Sequence, residues 1–260
     1  MQALTRPYGV LHYRLDGPEG APVVMLANSL GTDLRLWDDL IPLLPQGLRY
    51  LRYDKQGHGL SDLGRADRIA DHAADAAALI EAVVGGPVLM VGLSIGGLIA
   101  QRLASDRADL VRALVLSNTA ARLGTALSWQ ARIDAVAACG TTVIADAVME
   151  RWFAAPFRAR PELALWRNML ARTSTDGYIA ACRALAGADQ TRATAALRVP
   201  TLVIAGDQDG ASPPDLVRAT ADLIAGAEFH LIPGAGHLPC VETPAAMAAI
   251  LSPFLERYSG

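Results

Sequence analysis

Gly92-Leu93-Ser94-Ile95-Gly96 has the spacing at which a serine hydroxyl can be made into a nucleophile. The five residues follow the apolar run Pro87 to Val91 and precede Gly97-Leu98-Ile99-Ala100, where a strand hands over to a helix. A serine on so sharp a turn projects its hydroxyl into open space. Glycines two positions to either side remove Cβ atoms that the tight backbone could not accommodate. The hydroxyl stays a poor nucleophile until a base takes its proton, so a histidine and an orienting acid must follow. Asp207-Gln208-Asp209 comes directly after the apolar run Val199 to Gly206, and Gly234-Ala235-Gly236-His237 comes after Phe229 to Pro233. Each group is therefore expected at the carboxyl end of its own strand, the edge where parallel sheets gather their ligands. His237 is the candidate base because a glycine-containing loop delivers it there. Of the two acids, Asp207 fits a turn or a helix cap. Asp209, two residues further out, reaches toward His237 and is the expected orienting acid.

Acyl transfer also needs two backbone N–H donors aimed at the oxyanion of the tetrahedral intermediate. One falls to Ile95, the residue after the serine, at the start of a helix whose dipole helps. The other belongs in the loop after the strand Val23 to Ala27, where Asn28-Ser29-Leu30-Gly31-Thr32-Asp33 stands, with Leu30 the expected donor. Among the other histidines, His58 is read as bracing the loop after the Leu48 to Tyr53 strand. His12, His72 and His230 are read as surface or satisfied half-buried residues. Cys139, Cys182 and Cys240 are odd in number, scattered and without C-x-x-C spacing, which points away from a disulfide framework and a zinc site and toward small packing residues.

These residues together resemble the α/β-hydrolases, and more narrowly the 3-oxoadipate enol-lactonases of aromatic-compound catabolism. The order Ser94, Asp209, His237 is the α/β-hydrolase order. The segments Asn28 to Arg35 with Trp37-Asp38, Arg52-Tyr53-Asp54, Gly57-His58-Gly59-Leu60-Ser61-Asp62, Gly92 to Gly97, Ser117-Asn118-Thr119-Ala120-Ala121-Arg122, Ala205 to Gly210 and Pro233 to Glu242 carry the resemblance across residues 28–242. Asn-Ser-Leu-Gly-Thr-Asp and Ser-Asn-Thr-Ala-Ala-Arg are what narrow it. The family usually has arginine where Gln56 stands. The resemblance implies a small anionic lactone as substrate, opened by a serine acyl-enzyme to an enol that tautomerises to a ketone, with no metal or organic cofactor required. Other small-ester or lactone hydrolysis and perhydrolase chemistry of the haloperoxidase type are alternatives. A haloalkane dehalogenase would have an aspartate where Ser94 stands. A receptor that reads a butenolide without turning it over would share the fold.

The elements that must position these groups follow from hydrophobic pattern. Strands are expected near Val10 to Leu15, Val23 to Ala27, Leu48 to Tyr53, Val88 to Leu93, Val111 to Ser117, Val199 to Gly206 and Phe229 to Pro233. Helices are expected at Ile69 to Val84 and at Pro244 to Arg257, the latter after the cap candidate Thr243. This is an α/β pattern with a mostly parallel sheet flanked by helices. Residues 121–195 break the alternation and show only helical spacing. They read as a lid inserted into a core formed by 1–120 and 196–260. The lid carries nine Arg against six Asp and Glu, a balance of +3, and the chain's net charge is −3, so the remainder carries −6. Trp129 and Arg132, three apart and hence on one helix face, and Arg122 are the candidate substrate contacts within it. Arg132 is favoured for a substrate carboxylate and Arg122 held in reserve.

With 260 residues, 52% of them apolar and 19% charged, the chain can bury a full core as one domain. Its net negative charge excludes the broad basic footprint that nucleic acid requires. No stretch reaches membrane-spanning length, and the segment 1–20 has no secretory h-region, so a cytoplasmic protein is expected.

Overall fold

The computed structural model describes residues 1–260. Eight strands form one sheet: β1 (Gln2–Arg6), β2 (Gly9–Asp16), β3 (Val23–Ala27), β4 (Arg49–Tyr53), β5 (Val88–Leu93), β6 (Val111–Ser117), β7 (Thr201–Gly206) and β8 (Glu228–Ile232). Their order is β1-β2-β4-β3-β5-β6-β7-β8. β2 pairs antiparallel with β1 and β4, and all pairings from β4 onward are parallel. Such a sheet is covered on both faces, so its inner strands read as unbroken apolar runs rather than alternations. Every residue of β3, β5 and β7 is buried. The helices α1 (Ile69–Val83), α2 (Ile95–Asp106), α9 (Pro214–Leu223) and α11 (Pro244–Ser259) supply the cover.

Register sets the site. Ala27 lies opposite Gly92, Leu93 opposite Ser117, Ser117 opposite Ile204 and Gly206 opposite Ile232. The chain leaving β3, β5, β6, β7 and β8 therefore emerges at a common edge, within reach of one point.

Between β6 and β7 the chain runs through α3 (Ala126–Cys139), α4 (Ala145–Trp152), α5 (Ala155–Arg158), α6 (Leu163–Ala171), α7 (Thr175–Ala186) and α8 (Thr191–Ala195). This helical segment is seated on the core at close backbone approaches. A Cβ on Gly177 in α7 would strike the Gly57 carbonyl, and one on Gly31 would strike the Leu170 side chain of α6. At its far end Gln190 donates from Nε2 to the Leu98 carbonyl, 2.8 Å, and Thr194 donates to Gln101 Oε1, 2.6 Å.

Several expectations need correction. β1 lacks a sequence signal because it is an edge strand with no buried residue, each position being exposed or half-buried. β7 begins at Thr201 rather than Val199, because Pro200 has no N–H to give to a ladder. Thr243 stands at the start of α11, but its hydroxyl donates to Pro239 O, 3.4 Å, and caps nothing. His72 is wholly buried on the inner face of α1, and neither ring nitrogen has a hydrogen-bond partner. Burial pushes it down to about 4, which keeps the ring neutral. His230 is exposed, and half-buried His12 meets Asp54 at 2.8 Å. Cys139 is exposed, unlike buried Cys182 and Cys240. Gln56 is well accommodated: it donates to Asp75 Oδ2, 2.5 Å, and accepts from Gly64 N, 3.0 Å, while Arg6 Nε supplies a cation to Asp75 at 2.9 Å. No helix is long and apolar enough to cross a membrane.

Candidate active site

Ser94 sits between β5 and α2 with φ 59° and ψ −121°. A non-glycine residue there stores on the order of 1–3 kcal/mol, retained only where the surroundings over-determine it. Here Ser94 N donates to Ser117 O at 3.0 Å, and Thr119 Oγ1 donates to Ser94 O at 2.6 Å. The flanking glycines are forced by contact: a Cβ on Gly92 would strike the Gly96 carbonyl, and one on Gly96 the Ala27 carbonyl. Ile95 opens α2, so its N–H lacks an intrahelical acceptor. Across the edge, the Leu30 N–H donates to no protein acceptor. Its loop is fixed from below by Asn28, which accepts from Trp37 Nε1 at 2.7 Å and donates to Tyr53 O at 2.8 Å.

Asp209 and His237 meet at 2.9 Å between Oδ2 and Nδ1, both buried. The carboxylate is held on all sides. Asn118 Nδ2 donates to Oδ2 at 2.9 Å and Ser212 Oγ at 2.6 Å, while the Ala211 and Ser212 amides donate to Oδ1 at 2.7 and 2.9 Å. Burial disfavours its charge, but the neighbouring His237 ring and the Ser212 hydrogen bonds outweigh that and hold the carboxyl below its usual range. Asp207 does something else: its Oδ1 accepts from Gly234 N at 2.7 Å and holds the turn before the histidine. His237 is fixed through its own N–H to Trp152 O, 2.7 Å, and stacks on the Trp152 ring with centroids 6.5 Å apart. Asn118 and Ser212 were not singled out as functional by sequence reasoning. Asn118, at the end of β6 with a positive φ of 49°, turns its amide to hold Asp209 and Gly236 O.

Ser94 and His237 face a partly open cavity of ≈ 170 Å³ between the core and the helical segment. A cavity of ~150 Å³ admits a single small ring. From the helical side Trp129, Arg132, Arg151 and Tyr178 line it. Trp129 Nε1 donates to Leu123 O at 2.6 Å, and the Arg132 guanidinium lies 5.2 Å from the Trp129 ring centre and 3.5 Å from the Tyr178 hydroxyl. Arg151 reaches the Gly210 carbonyl at 3.3 Å. Burial and the Arg132 charge both act against its cation, lowering its pKa from the ordinary guanidinium value. Arg122 does not belong to this wall. Its guanidinium points to Asp189, 3.7 Å away, with both side chains about half exposed. The next residues, Leu123 and Gly124, do line the cavity, so nearness in sequence to the end of β6 located the wall but not the outward turn of the Arg122 side chain, and it passed over Arg151 on α4. Ser29, also unforeseen, lines the cavity with a buried hydroxyl that has no partner. No three His, Cys, Asp or Glu side chains converge in a way that could hold a metal ion.

Comparison with known proteins gives the same outline. A family described as alpha/beta hydrolase fold matches residues 22–244. The chain is 32% identical over 248 residues to 3-oxoadipate enol-lactonase 1 of Acinetobacter baylyi, covering 95% of this chain and 93% of that one. It is 31% identical to 3-oxoadipate enol-lactonase 2 of the same organism, covering 98% and 97%. Among solved structures it resembles the enol-lactonase from Burkholderia xenovorans LB400 with a TM-score of 0.94 and 35% identity, covering 98% of this chain and 100% of that one.

Proposed function

This chain belongs to the alpha/beta hydrolase family, and from that premise we propose that it hydrolyses 3-oxoadipate enol-lactone through an acyl-enzyme on Ser94. The observation that carries the reading is the cavity itself. It is lined both by Ser94 and His237 and by Arg132 and Arg151, which supports a substrate that carries an ester carbonyl and a carboxylate together.

His237 takes the Ser94 hydroxyl proton as Oγ attacks the lactone carbonyl. Asp209 holds the imidazole in the tautomer that accepts this proton and stabilises the imidazolium. The carbonyl oxygen, now negative, rests on the Leu30 and Ile95 amides. The bond to the ring oxygen breaks, His237 returns its proton to that oxygen, and the released enol tautomerises to the ketone. Water deprotonated by His237 then attacks the acyl carbon, the bond to Ser94 Oγ breaks, and His237 passes its proton to Oγ as 3-oxoadipate leaves. The substrate's carboxylate lies against Arg132 and Arg151, whose contacts within the protein are a hydroxyl, a ring face and a carbonyl and not an acid. Guanidinium forks are well matched to such an anion.

Initial rates on the anionic enol-lactone and on an uncharged enol-lactone of the same ring test this. One charge-assisted contact is worth about 1.5–3 kcal/mol, so kcat/KM favours the anion by roughly tenfold to a hundredfold. Arg132→Ala lowers that preference, with Arg151 still in place, while sparing the neutral lactone. Equal rates of the wild type on both lactones would overturn the assignment.

A further inference from the structure

Lys55 is the chain's only lysine and is 2% exposed. It follows β4 and lies beneath the loop after β3, with Nζ donating to Ser29 O at 2.5 Å and to Thr32 O at 3.3 Å. Ser29 O and Leu30 N are the two ends of one peptide group. The same carbonyl also accepts from Thr32 Oγ1, 2.9 Å, and Thr32 N, 3.4 Å. A carbonyl loaded with donors pulls electron density from its own N–H, and hydrogen-bonded chains strengthen cooperatively, most when one end is charged and the medium excludes water.

We propose that Lys55 is a positioning residue for the reaction: its buried ammonium holds and polarises the Ser29–Leu30 peptide so that the Leu30 N–H becomes a stronger donor to the oxyanion. The proposal rests on the reading of Leu30 as an oxyanion donor. The ammonium never touches substrate and acts through a single rigid amide. Two acids face Lys55, Asp54 at the end of β4 and Asp33 on the loop after β3, and both favour its charge. On the other side stand His58, in the same turn, and His72 of α1, both depressed chiefly by burial and secondarily by Lys55 itself. Burial wins over the two acids and brings Lys55 down from 10.5 to about 7. The cation that supports the oxyanion is therefore lost as pH rises from neutrality.

The test compares Lys55→Met, which removes charge and donors at similar volume, Lys55→Gln, which keeps a neutral donor, and Thr32→Val, which removes a neutral donor to the same carbonyl. Each is assayed for kcat, KM and thermal midpoint. Each is also treated with a trifluoromethyl ketone that adds Ser94 Oγ to its carbonyl, and the ionisation of the resulting hemiketal oxygen is followed by carbon NMR. Losing a whole oxyanion donor costs about 100- to 1,000-fold in kcat, and weakening one costs less. Lys55→Met is expected to lower kcat about 10- to 100-fold with KM within about threefold, and to make the hemiketal ionise about tenfold less readily. Thr32→Val is expected to have a smaller effect and to keep the alkaline fall in kcat that the Lys55 variants lose. Folded Met and Gln variants with wild-type kcat and wild-type hemiketal ionisation would overturn the proposal. So would a wild-type kcat that stays level up to pH 10.5, the ordinary lysine value, an outcome readable even if neither variant folds. A wild type that forms no adduct at Ser94 overturns the serine reading instead, which separates the two failures.

Discussion

At Asp209 one pair of atoms decides the outcome. Asparagine there has one oxygen to offer, and the Ala211 and Ser212 amides that now hold Oδ1 claim it. The amide nitrogen is then turned to His237 Nδ1, which forces the ring into the tautomer that cannot accept the Ser94 proton. Asp209→Asn is expected to lower kcat by about 10⁴-fold with the fold intact. Asp207→Asn keeps an oxygen for Gly234 N and is expected to change kcat little. Steady-state kinetics on the two variants check the assignment, and reversed effects would exchange their roles. The choice of Asp209 over Asp207 is legible in the sequence because it turns on reach along the chain. Asn118 and Arg151 are not legible there as site residues. The first is 91 residues from the acid it holds, and such a contact leaves no local pattern. The second sits on α4, whose return to the cavity depends on how the helical segment packs.

Among elements, the short helix α10 (Pro239–Glu242) ties the helical segment to the histidine loop. Glu242 accepts from Ala154 N, just beyond α4, and from Gly236 N, beside His237, each at 2.8 Å. Glu242→Ala leaves both amides without an acceptor, at about 2–3 kcal/mol. That corresponds to about 4–12 °C in the thermal midpoint of a chain this size, measurable by calorimetry, with kcat falling as the His237 loop loosens. Burial pushes the Glu242 carboxyl from 4.5 up to about 7 despite those amides. Between these pH values the folded protein keeps a proton that the unfolded chain releases. The contribution of this group to stability is therefore full below about 4.5 and lost as pH rises through about 7. Denaturation curves across that window are expected to show the decline in the wild type and a flatter course in Glu242→Gln. The inner strands are legible in the sequence because burial on both faces makes them continuous apolar runs, as in β5 and β7. β1 is not, because an edge strand needs no such run.

For the whole molecule, charge is divided unevenly: +3 on residues 121–195 and −6 on the rest, from a net −3. Raising ionic strength from about 0.01 to 0.15 M shortens the screening length from about 30 to 8 Å. The kcat/KM for an anionic lactone is expected to fall several-fold over that range while that for a neutral one holds level. Stopped-flow rates on both report it. Arg122→Ala is expected to alter neither rate nor thermal midpoint measurably, since its exposed pairing with Asp189 is worth about 0–1 kcal/mol. The single buried lysine has a practical side as well. The folded surface offers amine-directed acylating reagents no side chain, so modification of Lys55 waits until the floor of the site opens to solvent. The rate at which an N-hydroxysuccinimide ester labels it therefore counts those openings. A ligand seated above the loop should slow that labelling, which makes the residue a built-in gauge of occupancy.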